Sequence, residues 1–286
     1  MKAGATRGSP HEDERFAFGR NWASFSHQLD DDRVASARAG VERLLQTTDL
    51  AGKTFLDVGC GSGLMSLAAH QMGAAVRAFD YDPDSVQTAR AVRDRFIGSD
   101  AYEVTEGSAL DSDFVASLGL FDVVYSWGVL HHTGDMWRAC DLVAKAVAPG
   151  GQLAIAIYND QGLASRMWRR VKRAYVDGGP ITRRSLVTGA GAWFRARQGL
   201  ALALGAASSL RRGRATKAPA MATKRPRGMD RKHDLVDWVG GYPFEVAKPE
   251  QIFDFYRARG FALQGLKTCG GGLGCNEFLF ARIAIE

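Results

Sequence analysis

The stretch FLDVGCGSG, residues 55–63, passes from an apolar run directly into three glycines at alternate positions. A glycine-rich turn between a strand and a helix usually binds a negatively charged group at the helix N-terminus. Here a carboxylate, Asp57, stands just before the turn, where it would repel a pyrophosphate and attract a cation. The dinucleotide fingerprint is also incomplete, because Leu64 stands where its third glycine would be.

A second acid follows at the end of the next apolar run. Asp80, in FDYDP, comes 17 residues after Gly63, where a carboxylate can accept hydrogen bonds from both hydroxyls of a ribose. S-adenosylmethionine (SAM) carries an adenosine at one end and an ammonium group at the other, and it satisfies both acids. The sequence therefore predicts SAM as the cofactor, bound by Asp57, Gly59, Gly61, Gly63 and Asp80.

Short β-rich runs alternate with helical stretches from Thr54 onwards. Five such runs, with a PGG turn before the fifth, favour a parallel doubly wound sheet. Two later runs, FALQGLKT and NEFLFARIAI, are joined by CGGGLGC and predict a hairpin that completes the sheet. We therefore expect an α/β protein with a seven-stranded, mostly parallel sheet.

The rhythm of strands and helices is interrupted once, by a basic stretch that we interpret as an inserted helical cap. Residues 159–235 hold 18 Lys and Arg against 4 Asp and Glu, although the whole chain has a net charge of only +6. The basic character is therefore local. The expected organisation is a disordered tail at 1–14, N-terminal lid helices at 15–49, a cofactor-binding core at 50–159, the cap at 160–248, and a C-terminal helix and hairpin at 249–286.

Composition limits the class of protein. Hydrophobic content of 46% and charged content of 24% are typical of a soluble globular chain. The four cysteines form no C-x-x-C pair, so neither a metal site nor a disulfide framework is expected. The chain opens without a signal-peptide pattern and has no apolar run long enough to span a bilayer. The expected location is the cytoplasm.

The motifs together resemble the class I SAM-dependent methyltransferases, over roughly residues 50–160 and loosely over the last 40. The resemblance is carried, in family order and spacing, by LDVGCGSG, AFDYDP, EGSALD, FDVVYSWGVLHH and PGG. Within that group the chain is most similar to ubiquinone-type O-methyltransferases and their small-molecule relatives. The resemblance implies a Rossmann-like methyltransferase fold, with the three glycines near the methionine part of SAM and Asp80 on its ribose.

The same resemblance implies an adenine contact at Ser108 and Ala109. The family often has GDA where this chain has Gly107-Ser108-Ala109, and a serine hydroxyl binds the adenine amino group less strongly than a carboxylate does. Trp127, at the end of the fourth predicted strand, is expected to wall the cofactor pocket, with a core aromatic as the alternative. Aromatic residues of the N-terminal segment are expected to form a lid: Phe16, Phe18, Trp22 and Phe25.

Methyl transfer to a hydroxyl needs an acceptor in line and a base to remove its proton. His131 and His132 follow the fourth strand directly, and either is a candidate general base, worth on the order of 10²–10⁴-fold in rate. A packing role is the alternative for both. If neither serves as a base, the acceptor is a nitrogen, a carbon or an already ionised oxygen.

The basic cap leaves three interpretations of the acceptor open. It encloses a polar or anionic small molecule; it lies on an anionic membrane, at the inner face, and admits a lipid-linked acceptor; or it binds RNA. The run AWFRARQGLALALGAASSLRRGR is apolar with arginines at both ends, as an interfacial helix would be. Because neither an RNA-binding motif nor an N-P-P-Y-type motif is present, no nucleic-acid partner is expected. A simply solvated basic face is the further alternative.

Overall fold

The computed structural model describes residues 16–19, 22, 26, 29–211 and 231–284. The predicted tail at 1–14 and residues 212–230 of the predicted cap lie outside these residues. No helix within the described ranges combines the length and the apolar character needed to cross a bilayer.

A seven-stranded sheet with the order β3-β2-β1-β4-β5-β7-β6 forms the centre of the molecule. The first five strands are parallel, whereas β7 runs antiparallel to both β5 and β6. The predicted mostly parallel sheet with a closing hairpin is confirmed. The strands are β1 Thr54–Val58, β2 Ala75–Asp80, β3 Glu103–Glu106, β4 Phe121–Trp127, β5 Val147–Tyr158, β6 Phe261–Lys267 and β7 Cys275–Arg282.

Helices cover both faces of the sheet, because alternate residues of each buried strand point to opposite sides. Phe55 of β1 packs with α1, α2 and α3 on one face, and Leu56 packs with α4, α5 and α9 on the other. The helices are α1 Asp31–Leu45, α2 Leu64–Gln71, α3 Pro83–Phe96, α4 Ser112–Ser117, α5 Met136–Lys145, α6 Leu163–Asp177, α7 Pro180–Arg211, α8 Arg231–Gly240 and α9 Pro249–Arg257.

The PGG sequence, expected as a turn before the fifth strand, instead lies within β5. The pairing of β4 with β5 shifts register between Phe121 and Val123, and the extra residues of β5 form a bulge there. Gly150 has φ +76°, and a side chain at Gly151 would lie 2.9 Å from the Asp122 carbonyl oxygen. Glycine therefore allows the strand to bulge and continue, where the sequence pattern indicates a stop.

Helices α6, α7 and α8 lie between β5 and α9 in the sequence. They share a separate, largely aromatic cluster. Trp168, Val239 and Phe244 are its buried members, and Tyr158 at the end of β5 packs against them. This cluster attaches the helices of the cap to the carboxyl edge of the sheet.

Gly63 directly precedes α2, and replacing it tests what the start of that helix requires. Its φ of +73° favours glycine, and a Cβ there would lie 3.0 Å from Cα of Ala89 on α3. Gly63→Ala should destabilise the protein by about 1–2 kcal/mol from backbone strain and by a further 1–3 kcal/mol, roughly, from overpacking. Urea denaturation measures both effects.

Gly98→Ala is the matched control, because Gly98 also has positive φ, +94°, but a Cβ there has nothing within 4 Å. It should show the strain alone. Equal losses for the two variants would mean that contact with α3 is not what Gly63 provides.

Candidate functional site

A cavity of about 1010 Å³ lies at the carboxyl ends of the parallel strands, between the sheet and the cap. β1 pairs with β2 on one side and β4 on the other, so the cavity sits at the topological switch point where open α/β sheets bind ligands. Its volume is at the upper end for a single ligand pocket. Lining residues include Phe16, Phe18, Trp22, Asp57, Gly59, Gly61, Asp80, Trp127, His132, Tyr158, Phe194, Trp238 and Tyr242.

Asp57 lies on the cavity wall at the carboxyl end of β1 and is only 2% exposed. Its Oδ2 accepts a hydrogen bond of 2.6 Å from the Ser66 hydroxyl on α2. Burial raises the pKa of Asp57 to about 7; the Ser66 hydrogen bond opposes the shift, and the nearby charge of Asp80 adds to it. A cation placed beside Asp57 would relieve this unfavourable charge burial.

Asp80 ends β2 beside the glycine turn. One carboxylate oxygen accepts from the Gly61 amide and the other from the Asp82 amide, both at 2.9 Å. Burial raises the pKa of Asp80 to about 6, although these backbone donors act to lower it. An ionised carboxylate has about four acceptor positions, so Asp80 retains the capacity to accept two ribose hydroxyls.

The three glycines have different roles in the described structure. Gly59 and Gly61 line the cavity, whereas Gly63 starts α2 and packs against Ala89. A methyl group at Gly61 would lie 3.0 Å from the Trp22 indole, so the missing side chain lets the N-terminal segment approach the turn. The sequence pattern predicts that all three glycines contact the cofactor; Gly59 and Gly61 line the cavity, and the contact with SAM stays a prediction for all three.

Trp127 lines the cavity at the end of β4, in the place expected for a pocket wall. Its indole N–H donates to Glu277 on β7 over 3.3 Å, and Arg43 of α1 pairs with the same carboxylate at 2.6 Å. Burial acts to raise the pKa of Glu277, but Arg43 and Lys267 outweigh it and hold that pKa below its ordinary value. Glu277 therefore stands behind Trp127 as an ionised support.

The two candidate histidines end a short 3₁₀ turn, Leu130–His132, and their ring centroids lie 4.5 Å apart. His132 lines the cavity, and its Nδ1 lies 2.6 Å from the Pro243 carbonyl oxygen. His131 is fully buried, with its ring centroid 4.0 Å from that of Tyr158. Of the two candidate bases, the cavity therefore exposes His132 to a bound acceptor.

Ser108 and Ala109 lie outside the cavity as the described residues enclose it. The Ser108 hydroxyl accepts from the Leu110 amide at 3.2 Å, and Ala109 is buried among apolar side chains, including Val115. Their predicted contact with the adenine ring stays a prediction.

The N-terminal segment, meaning residues 16–19 and Trp22, contributes Phe16, Ala17, Phe18 and Trp22 to the cavity lining, and its role as a lid stays a prediction. The Phe16 amide donates to the Tyr242 carbonyl at 2.9 Å, and the Gly19 amide donates to Asp82 at 2.7 Å. Phe25, the fourth aromatic of the hypothesis, lies outside the described residues.

Sequence reasoning missed three contributors to the site: Ser66, Phe194 and Trp238. In the sequence nothing distinguishes Ser66 from other helix residues, because its contact with Asp57 depends on how α2 packs on β1. Phe194 and Trp238 lie on α7 and α8, and their place in the cavity wall depends on how the cap docks on the sheet. A periodic aromatic pattern in the cap was the only available signal.

Comparison with known families agrees with this geometry. A family model described as a methyltransferase domain matches residues 26–191, more than half of the 286-residue chain. The chain belongs to this family. Residues 26–191 form a SAM-dependent methyltransferase domain with SAM as its cofactor, which confirms the cofactor predicted from the glycine turn and the two acids.

Relatives with established names differ in what they methylate. The chain is 34% identical over 111 residues to a ubiquinone biosynthesis O-methyltransferase of Xanthomonas oryzae pv. oryzae, covering 39% of this chain and 45% of the relative. It is 31% identical over 113 residues to the ribosomal protein L11 methyltransferase of Photobacterium profundum, covering 39% and 36%. The matched segment thus spans less than half of each relative.

Solved structures share the fold over nearly the whole chain. An O-methyltransferase family protein from Burkholderia thailandensis superposes with a TM-score of 0.56 and 16% identity, covering 96% of this chain and 66% of that one. A putative methyltransferase from Bacillus halodurans C-125 gives 0.51 and 14%, covering 86% and 100%. At these identities the likeness concerns the fold alone.

Asp57 makes the stability of the ligand-free protein depend on pH. Its pKa is about 7 in the folded protein and about 3.9 in an unfolded chain. Between those values the folded state binds more protons, so stability should fall as pH rises, by up to about 1.4 kcal/mol per pH unit from this group. Asp57→Asn should flatten the fall between about pH 5 and pH 7 in urea denaturation.

Asp122→Asn supplies a control of opposite sign. Hydrogen bonds from the amide and hydroxyl of Thr54 hold the pKa of Asp122 below its ordinary value, so its contribution is present at neutral pH and lost in acid. If the wild-type and Asp57→Asn profiles run parallel, Asp57 does not carry the buried charge described above.

Proposed function

We propose that the protein transfers a methyl group from SAM to a hydroxyl oxygen of a small-molecule or lipid-linked acceptor. The observation that carries this proposal is the placement of His132. The residue lines the cavity, and its Nδ1 lies 2.6 Å from a backbone carbonyl. N- or C-methylation of a small metabolite is the alternative, and methylation of RNA bound by the basic cap is a weaker one.

Bound SAM supplies a methyl group that its sulfonium has already activated, so the protein's task is to position the acceptor and remove its proton. A carbonyl oxygen can only accept a hydrogen bond, so Nδ1 of His132 carries the proton in its contact with Pro243. The neutral ring then has its lone pair on Nε2. This tautomer suits a general base acting on a hydroxyl in the cavity.

The cap half of the cavity supports an acceptor with a planar, apolar body. The Phe18 and Tyr158 rings lie 5.0 and 5.4 Å from that of His132, and Phe194 and Trp238 complete an aromatic wall. Such rings stack on flat ligands, and Arg195, Gln198 and Asp237, which also line the cavity, can orient a polar substituent. We infer that a phenolic hydroxyl is the best match for this half of the cavity.

The named relatives support an oxygen acceptor without identifying it. The ubiquinone biosynthesis enzymes are O-methyltransferases by name, but the L11 enzyme, matched over a similar length, is named for a protein substrate. The match therefore supports the SAM-binding domain, and we infer that the cap, which lines the other half of the cavity, selects the acceptor.

His132→Ala tests the proposed base. With a panel of phenols and catechols, turnover should fall by roughly 10²–10⁴-fold, while the affinity for S-adenosylhomocysteine measured by calorimetry stays unchanged. Asp80→Ala is the reciprocal variant, and it should weaken that affinity by roughly 1–3 kcal/mol through loss of the ribose contact. His70→Ala, on α2 and away from the cavity, controls for the loss of a histidine.

Mass spectrometry of the product identifies the methylated atom. Transfer to nitrogen or carbon with unchanged turnover in His132→Ala would replace the proposed function with its alternative. Binding of NAD, and none of the SAM product, would refute the cofactor assignment itself.

The outer surface of α7 supports an acceptor that is delivered from a membrane. Trp193, Arg197 and Leu200 follow at helical spacing on its exposed side, with the Arg197 guanidinium 5.5 Å from the centre of the Trp193 ring. Phe194 and Gln198 of the same helix line the cavity. One helix thus borders the cavity and presents an aromatic, basic surface such as interfacial helices use.

Vesicle sedimentation tests this surface. The protein should bind anionic vesicles and not neutral ones, with binding that weakens as salt rises. Arg197→Gln should weaken binding by about 1 kcal/mol, the contribution of one charge near the surface. Replacing Lys53, Lys145 and Arg257, which are also exposed, should have little effect.

If the protein stays in the supernatant with anionic vesicles at low salt, the acceptor is a soluble compound. An RNA competitor belongs in the same assay, because RNA binding is also sensitive to salt. Displacement by RNA at low concentration would favour the nucleic-acid alternative.

A further inference from the structure

Lys172 on α6 is fully buried, which is unusual for a lysine. Its ammonium group lies 4.7 Å from the Trp238 ring centroid and 4.8 Å from that of Phe244, and it donates a hydrogen bond to the Trp238 carbonyl. Burying a cation is costly unless such partners compensate. The proposed methyl transfer does not use Lys172 directly, because the residue lies behind the cavity wall.

The pKa of Lys172 reflects the cost of burying its charge. Burial lowers the pKa of Lys172 to about 7, while the charges of Asp237 and Cys275 act to raise it. Trp238 lies in the last turn of α8, where carbonyl groups run out of donors within the helix. The lysine thus supplies a donor at a position where the helix supplies none.

A second cation of α6 binds the same piece of chain. Arg169, one turn before Lys172, donates from Nε to the Phe244 carbonyl at 3.0 Å. The segment between the two carbonyls, residues 238–244, is therefore fastened to α6 at both ends. We call this segment the strap.

The strap also touches the turn that carries the histidines. Pro243 supplies the carbonyl oxygen that lies 2.6 Å from Nδ1 of His132. Glu245, the first residue after the strap, donates its amide to the His131 carbonyl at 2.9 Å, and its carboxylate accepts from the Met136 amide at 3.0 Å. A displacement of the strap would therefore move the one backbone acceptor that determines the His132 tautomer.

We propose that Lys172 and Arg169 are positioning residues: by fixing the strap from within the cap, they set the orientation and the Nδ1–H tautomer of His132. The consequence for turnover rests on the proposed function, in which His132 is the base. The consequence for the tautomer does not, and it can be measured without knowledge of the acceptor.

The test is nitrogen NMR of protein labelled with ¹⁵N-histidine, at about pH 8, where neutral rings dominate. His132→Gln identifies the His132 signals among those of the six histidines. In the wild type, Nδ1 should resonate in the protonated range. Lys172→Met keeps an unbranched, apolar side chain in the aromatic site but removes the donor, so the Nδ1 signal should move towards the unprotonated range.

Arg169→Met should produce the same shift and carries the test alone if Lys172→Met fails to fold. Arg170→Met is the matched control, an exposed arginine on the same helix, and should leave the signal in place. The turnover of Lys172→Met and of Arg169→Met should fall by up to about 10²-fold, with unchanged affinity for S-adenosylhomocysteine.

Two outcomes separate the inference from the proposed function. If neither Lys172→Met nor Arg169→Met moves the His132 signal, the positioning role is overturned and Lys172 serves packing alone. If the His132 signal moves while the variant still methylates a phenol at the wild-type rate, positioning is supported and the base role of His132 is overturned.

Discussion

The hydrogen bond from the Gly61 amide to Asp80 joins the glycine turn after β1 to the end of β2, and the candidate site is built around it. It brings the two acids close enough that the charge of Asp80 raises the pKa of Asp57. Two neighbouring carboxylates in a buried site disfavour ionisation, and a bound cation reverses that preference. The glycine turn here therefore favours a ligand with a positive end, unlike the turns that bind pyrophosphate.

Segments distant in the sequence close the cavity over this pair of acids. Asp82, two residues after Asp80, accepts from the Gly19 amide, and Phe16 donates to the Tyr242 carbonyl. The N-terminal segment is thus attached to the sheet on one side and to the cap on the other. The segment donates a backbone amide in both attachments, but the attachment to the sheet also needs the side-chain carboxylate of Asp82 as its acceptor.

Local signals in the sequence predicted the sheet and most of the cofactor side, since strand periodicity and the glycine turn need no knowledge of distant contacts. Contacts between distant residues escaped prediction. Trp127 and Glu277 are 150 residues apart, and His132 and Pro243 are 111 apart. Gly63 shows another limit: it packs against Ala89, a contact that its spacing does not reveal, and its predicted contact with the cofactor stays a prediction. The PGG bulge likewise depends on the pairing of β4 with β5.

The paired histidines illustrate why a motif alone could not assign the base. The two rings lie 4.5 Å apart and both pack against Tyr158, yet His131 is fully buried whereas His132 lines the cavity. The Pro243 carbonyl then selects the His132 tautomer, and Pro243 belongs to the cap side of the molecule. A change in how the cap packs can therefore alter both the space in the cavity and the orientation of His132, and the two properties are coupled through one short segment of chain.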